Sequence, residues 1–244
     1  MTKKFVIFFL VVWILAACTS NPAATTGVTP GEARTLRVMT HDSFAVSEAV
    51  ITKFEVEHNV KVKILKSGDA GTTLNTAILS KNNPLADVFY GVDNTFLSRA
   101  LEEDIFEVYK SPLLAEIPDI FMLDPKLRAL PIDYGDVCLN YDIAYFTDKN
   151  LPPPANLGDL LKPEYKHLLA VENPATSSPG LAFLLATIDN YGTDGYLDYW
   201  QGLKENGVVV VNDWNTAYYT EFTRSGGTRP IIVSYSSSPP AEVV

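Results

Sequence analysis

From residue 35 onward the chain alternates between two rhythms of apolar and polar positions. "TLRVMT" (35–40) predicts a short strand, and "AVSEAVITKFEVEHN" then places Val46, Val50 and Phe54 at helical spacing. "VKVKILKS" (60–67) alternates strictly, as a strand with one exposed face does, and "AGTTLNTAILSKNN" reads as a helix closed by Asn and Pro84. "ADVFYGVD" predicts a buried strand, followed by a helix in "NTFLSRALEEDIF" capped by Asp93 or Asn94. "RALPIDYGDVCLNYDIAYF" predicts two strands around a DYGD turn, and "LPPPANLGDLLKPEY" a proline-stiffened loop with a short helix. The alternation then resumes: strand "HLLAVE", helices "SPGLAFLLATIDNYG" and "DGYLDYWQGLKEN", strand "VVVV", helix "WNTAYYTEFTRSG" and strand "PIIVSY". Such an order predicts an α/β fold of two lobes, each a sheet flanked by helices. The expected divisions are lobe 1 at 36–136, lobe 2 at 137–232, and a return crossover towards lobe 1 at 233–244.

The first residues follow a different pattern. "MTKKFVIFFLVVWILAAC" has two lysines, a long apolar core and small residues before Cys18, the layout of a secretory signal. Leu15-Ala16-Ala17-Cys18 matches a lipoprotein signal, so residues 1–17 are expected to be removed and Cys18 lipidated; a single membrane anchor is the other reading. Residues 18–35, rich in Thr, Ala, Pro and Gly, read as a flexible tether. Cys138 is then the one cysteine left for the fold, so no internal disulfide is expected, and it reads as a small buried apolar residue. Without the signal the chain carries 17 basic and 29 acidic residues. That acidity argues against nucleic acid and against an anionic membrane surface as partners. About 210 residues remain, enough for one large domain or two lobes.

Ligands of open α/β sheets bind beyond the carboxyl ends of strands. Four polar clusters fall there: "THDSF" (40–44), "YGVDN" (90–94), "ENPATSSPG" (172–180) and "SYSSSPP" (234–240). Any one of them could be a simple cap or turn, but four together predict a ligand cleft. In "NDWNTAYYTEF", Trp214 and Tyr218 are four residues apart and share a helix face. Trp214, at a loop–helix junction beside Asn212 and Asp213, reads as a stacking surface for a flat cationic ring. Tyr219 and Trp200 read as packing residues, His58 as a helix end, and His41 as a border of the cleft. No G-x-S-x-G elbow, phosphate-binding loop or H-E-x-x-H motif is present, so no catalytic residue and no metal or cofactor are expected.

The series "THDSF", "ADVFYGVDN", "PIDYGDVCLNYD", "NPATSSPGLAFLL", "DWNTAYYTEF" and "SYSSSPP" resembles, in order and spacing, the thiamine-binding proteins of bacterial ABC importers. The resemblance implies a type II periplasmic-binding fold, exported and either lipid-anchored to the outer face of the cytoplasmic membrane or in the periplasmic space. It implies a monomeric, non-enzymatic receptor that delivers thiamine or its phosphate esters to a membrane permease. Carried onto this sequence, it places Asp42 near the ligand's cationic part, with Ser43 and Phe44 beside it. Ser177 and Ser178 fall at the hydroxyethyl or phosphate end, Trp214 and Tyr218 form an aromatic wall, and Tyr235 with Ser236 sits in the last strand's loop. Asp93 and Asn94 match a DN pair that capping alone also explains, and Asp133 and Tyr134 fall near the crossover between lobes. Two departures stand out. "AVSEAV" lacks the aromatic that the family places after "DSF", and family chains continue well past residue 244, so the sequence is expected to be a fragment.

Two other functions compete. Tyr218 and Tyr219 could bind ferric iron through phenolate oxygens, making the chain an iron receptor. A hydrolase using Ser177 or Ser236 is the weaker alternative, since neither serine has a base visible in the sequence.

Overall fold

A computed structural model describes residues 33–243. The expected signal peptide, Cys18 and the tether up to residue 32 lie outside these residues.

The first sheet is parallel, in the order β2-β1-β3. β1 (Arg34–Thr40) pairs along its whole length with β2 (Val60–Lys66), and at Val38 and Met39 with β3 (Val88–Phe89). β1 starts at Arg34, so the last two residues of the expected tether are strand. β3 is shorter than its apolar pattern suggested. After Tyr90 N donates to Met39 O at 2.9 Å, Gly91 at φ 110° turns the chain out of the sheet. Between the strands run α1 (Glu48–His58) and α2 (Ala70–Leu79), and α3 (Leu97–Glu102) follows β3. A small core of Leu74, Phe96 and Ala100 holds α2 and α3 together. The apolar stripe of α1 is uncovered among the described residues: Val46, Val50 and Phe54 are all exposed.

The second sheet is mixed, in the order β4-β7-β5-β6. β5 (Leu169–Glu172) lies parallel to both β6 (Val209–Val211) and β7 (Ile231–Tyr235), while β4 (Val137–Tyr141) runs antiparallel to β7. The strand expected before the DYGD turn is absent. β4 takes its partner from β7, far along the chain, and Pro131 has no N–H to offer a ladder. The apolar run after β4 instead forms α4 (Ile143–Asp148), capped by the Asp142 side chain on Ala144 N and Tyr145 N. α5 (Ser178–Glu205) contains both predicted helices, broken at Gly192 with φ 73° and ψ 172°. Stacked rings of Tyr191 and Tyr199, 4.4 Å apart, brace the break. The core here is β5 and β7 against α5, with Val171, Phe183, Leu203, Ile231 and Val233 buried.

Cys138 is exposed rather than buried. Along β4, Val137 and Leu139 pack on that core, and strand alternation turns Cys138 to the other side. The predicted helix after β6 is one α-helical turn, Trp214–Thr216, running into a π-helical turn, Ala217–Glu221. The wider turn inverts the expected tyrosine roles: Tyr218 is 2% exposed and Tyr219 54%.

Candidate functional site

A cleft of about 1680 Å³ opens where the strand ends of the two sheets face each other, lined from the first by His41, Asp69 and Tyr90 and from the second by Cys138, Ser178, Trp214 and Tyr235.

One wall is built on the loops after β1 and β3. The rings of Phe44 and Tyr90 meet edge to face at 4.9 Å, and His41 lies tilted against Tyr90 at 5.9 Å. A Cβ at residue 91 would stand 2.6 Å from His41 Cδ2, so this packing needs Gly91 as well as its positive φ. His41 Nδ1 is 2.9 Å from Ser43 Oγ. Burial lowers the His41 pKa, against the opposing pull of Asp69, Asp133 and Asp42. Tyr90 Oη donates to the Asp133 carboxylate, and burial first, with that bond, pushes its pKa up to about 12. Both shifts favour the uncharged imidazole and phenol, beside the Asp133 carboxylate.

The opposite wall is Trp214. Its indole stacks on Tyr218 at 4.8 Å and 27°, and Nε1 donates to Ser234 Oγ at 2.8 Å. Its backbone N donates to Asp69 Oδ2 at 2.9 Å, while Asp69 Oδ1 caps α2 at Ala70 N. One carboxylate therefore fixes a helix start on the first sheet's side and the stacking residue on the second. Gly71 N donates to Thr176 O at 2.9 Å in the same place. Tyr235 is half-buried at the floor; burial, then the nearby charges of Asp93, Asp69, Glu172 and Asp133, raise its pKa.

Ser177 and Ser178 start α5, yet neither side chain caps it. Ser177 is fully buried and Ser178 3% exposed, and neither Oγ has a partner among the described residues. Two orphaned hydroxyls at a helix N-terminus, where backbone N–H groups also point outward, can take an anionic or polar group.

The structure brings Ser43, Ser178, Trp214 and Tyr235 to the cleft; Phe44 packs against Tyr90, and Ser177 is fully buried and does not line it. It sets three predicted residues elsewhere. Asp42 is exposed, with Oδ1 accepting from Gly68 N at 2.8 Å, so it ties the 41–44 loop to the end of β2. Tyr218 is sealed beneath Trp214, among Ala170, Phe222 and Ile232. Ser236 is exposed, with its N bound to Asp136 O. Asp93 accepts from Thr95 N and Phe96 N in a turn ahead of α3, whose N-cap is Phe96 rather than the expected Asp93 or Asn94, while Asn94 faces the cleft. Asp69 and Tyr90 line the cleft and were missed as site residues, as was the buried Glu172 close to it. Asp69 and Tyr90 each follow a strand end, which was a legible signal, and Glu172 is an acid closing an otherwise apolar strand.

The strand ends of the two sheets thus share one cleft lined by aromatic rings and hydroxyls. The chain belongs to the bacterial extracellular solute-binding protein family, whose model matches residues 83–240; it is a family of binding proteins, not of enzymes. The chain is 32% identical over 216 residues to the thiamine-binding periplasmic protein of Salmonella typhimurium, covering 86% of this chain and 62% of that one. A solved periplasmic thiamin-binding protein superposes with a TM-score of 0.70 at 27% identity, over 87% of this chain and 65% of that one. Iron-bound HitA from Pseudomonas aeruginosa, at 22% identity and a TM-score of 0.66 over 83% and 63% of the two chains, shares the fold. The fold is that of type II periplasmic binding proteins. The chain spans less than two thirds of the length of these relatives.

Proposed function

We propose that this chain is the solute-binding component of an ABC importer, and that its ligand is thiamine or a thiamine phosphate ester. The observation that carries the reading is the cleft: aromatic surfaces at Tyr90 and Trp214, acidic groups at Asp69 and Asp133, and the unpartnered Ser178 hydroxyl at the start of α5. Thiamine has two flat rings, a fixed positive charge and a polar tail, and each finds a complement there. The names of the relatives point the same way.

The rest of the reading follows from that role. The lobes divide at 36–136 and 137–232, with the segment from 233 to 244 leading back towards the first. Closure of the lobes over the ligand presents a distinct face to the permease. The receptor works as a monomer, exported and held to the membrane through lipid on Cys18. A ferric-iron receptor is the less favoured reading, because Tyr218 is sealed while Tyr219 faces solvent, which gives an ion no shared opening. Calorimetric titration with thiamine, its mono- and diphosphate, and ferric citrate decides between them. Heat with a thiamine form and none with iron is expected; a folded protein that takes up no thiamine form refutes the proposal.

A further inference from the structure

Glu172 is fully buried, and neither carboxylate oxygen has a hydrogen-bond partner among the described residues. Its place follows from strand alternation. Leu169 and Val171 of β5 point into the core against α5, and Ala170 points the other way, to Tyr218, Phe222 and Ile232. Glu172 shares the side of Ala170. In the neighbouring strand Ile232 pairs with Ala170, and two residues further along comes Ser234, which holds the Trp214 indole. The carboxyl group therefore lies in the layer that supports the stacking wall.

Among the described residues nothing cationic faces it. Asp69 comes from the start of α2 and Asp213 from the turn before Trp214, both acids, and the Tyr235 phenol comes from the end of β7. Val211, opposite in β6, and the first turn of α5, with Ser177, Ser178 and Pro179, bring no charge. Five of the neighbouring carboxylates are engaged: Asp42 by Gly68, Asp69 by Ala70 and Trp214, Asp93 by Thr95, Asp133 by Tyr90, and Asp213 by Thr216. A buried carboxylate without donors and ringed by acids is a costly ion, so the group keeps its proton. Burial pushes its pKa up to about 8, Asp69 and Asp213 push the same way, and only its own backbone N–H opposes them.

We propose that Glu172 is a proton-linked counter-charge for the cleft, neutral while the cleft is empty and ionised when a cationic ligand docks against Trp214. This rests on the reading of the cleft as a receptor for a cation. The carboxyl O–H bond breaks, the proton passes to solvent buffer, and the electron pair stays on Glu172 as the charge that the ligand's cation balances. Glu172 acts across the wall through its field, as a positioning residue. Ligand affinity then climbs with pH over the range in which the empty site holds the proton and the filled site does not.

The test is calorimetric titration of thiamine into the protein near pH 7.5, in two buffers of different ionisation enthalpy, which counts protons released per ligand bound. His41, whose pKa lies below its ordinary 6.5, is already neutral there and supplies none. The wild-type protein is expected to release well over half a proton per ligand, and its affinity to rise between about pH 6.5 and 8, towards tenfold per pH unit at the lower end of that range. Glu172→Gln, of nearly the same shape, is expected to release none and to bind with a flat pH profile. Thiamine binding without proton release, or release unchanged in E172Q, overturns the proposal and leaves the receptor reading intact. Absence of thiamine binding by the wild-type protein overturns both. Should E172Q fail to fold, the wild-type proton count and pH profile still decide.

Discussion

Trp214 has four partners at once: Tyr218 stacked on its ring, Tyr219 edge to face at 5.6 Å, Ser234 at its indole nitrogen and Asp69 at its backbone, and it also lines the cleft. Trp200, by contrast, is held inside the fold, with Nε1 on Thr187 Oγ1 and its ring against Phe183. The two tryptophans should therefore fail in different ways. Trp214→Ala is expected to weaken thiamine binding about a hundredfold or more in a calorimetric titration, in line with loss of a central aromatic anchor. Trp200→Ala is expected to cost about 3 kcal/mol in denaturant unfolding, with affinity little changed in the folded fraction. The serines behave the opposite way to a structural cap. Because Ser177 Oγ is buried without a partner, Ser177→Ala removes an unsatisfied group and should leave stability unchanged or raise it by about 1 kcal/mol, while thiamine phosphate binding weakens. A fall in melting temperature would mean that the hydroxyl serves the fold. Of these details, Trp214 and the two serines were legible because strand-end loops carry polar and aromatic surplus. The Asp69 link was not, because a bond from a helix cap to a backbone N–H 145 positions away leaves no local pattern.

At the level of elements, α2 meets the 173–177 loop directly, with Gly71 N donating to Thr176 O at 2.9 Å. A Cβ on Gly71 would fall 2.8 Å from Phe96 Cζ and 2.9 Å from Ala175 O, inside any normal contact. Gly71→Ala should therefore push α2 away from Thr176, costing about 2 kcal/mol in chemical unfolding and lowering affinity together with stability. Unchanged values for both would show that this contact is slack. The element order was largely readable, and the exceptions share one physical cause. β1, β2, β5, β6 and β7 are strands whose own apolar rhythm matches their pairing. The segment before DYGD has an apolar composition but no neighbouring strand, and the "WNTAYYTEF" run widens into a π-helical turn that seals Tyr218 and releases Tyr219. Periodicity reports which face is apolar; it cannot report whether a partner arrives or whether a helix keeps its pitch.

For the molecule as a whole, a protonated buried acid makes stability depend on pH. Glu172 ordinarily titrates near 4.5 and here near 8, so between those values the native state holds a proton that the unfolded chain has lost. Stability therefore falls as pH rises from about 4.5 to about 8, by up to a few kcal/mol. E172Q lacks this dependence, and its melting temperature should move above the wild-type value increasingly over that range, with the two converging in acid. Parallel curves across the range would contradict a raised native pKa. Cys138, turned by strand alternation onto the cleft side, has a more practical consequence. Burial first, and then Asp136, hold its thiol above the ordinary value, so it should react slowly with alkylating agents near neutral pH and faster in base. Ligand seated in the cleft should slow that reaction further, as read by mass spectrometry of the Cys138 peptide. A dye attached at this position would stand on the receptor's inner wall and convert occupancy into light, making the protein a sensor for the nutrient it captures.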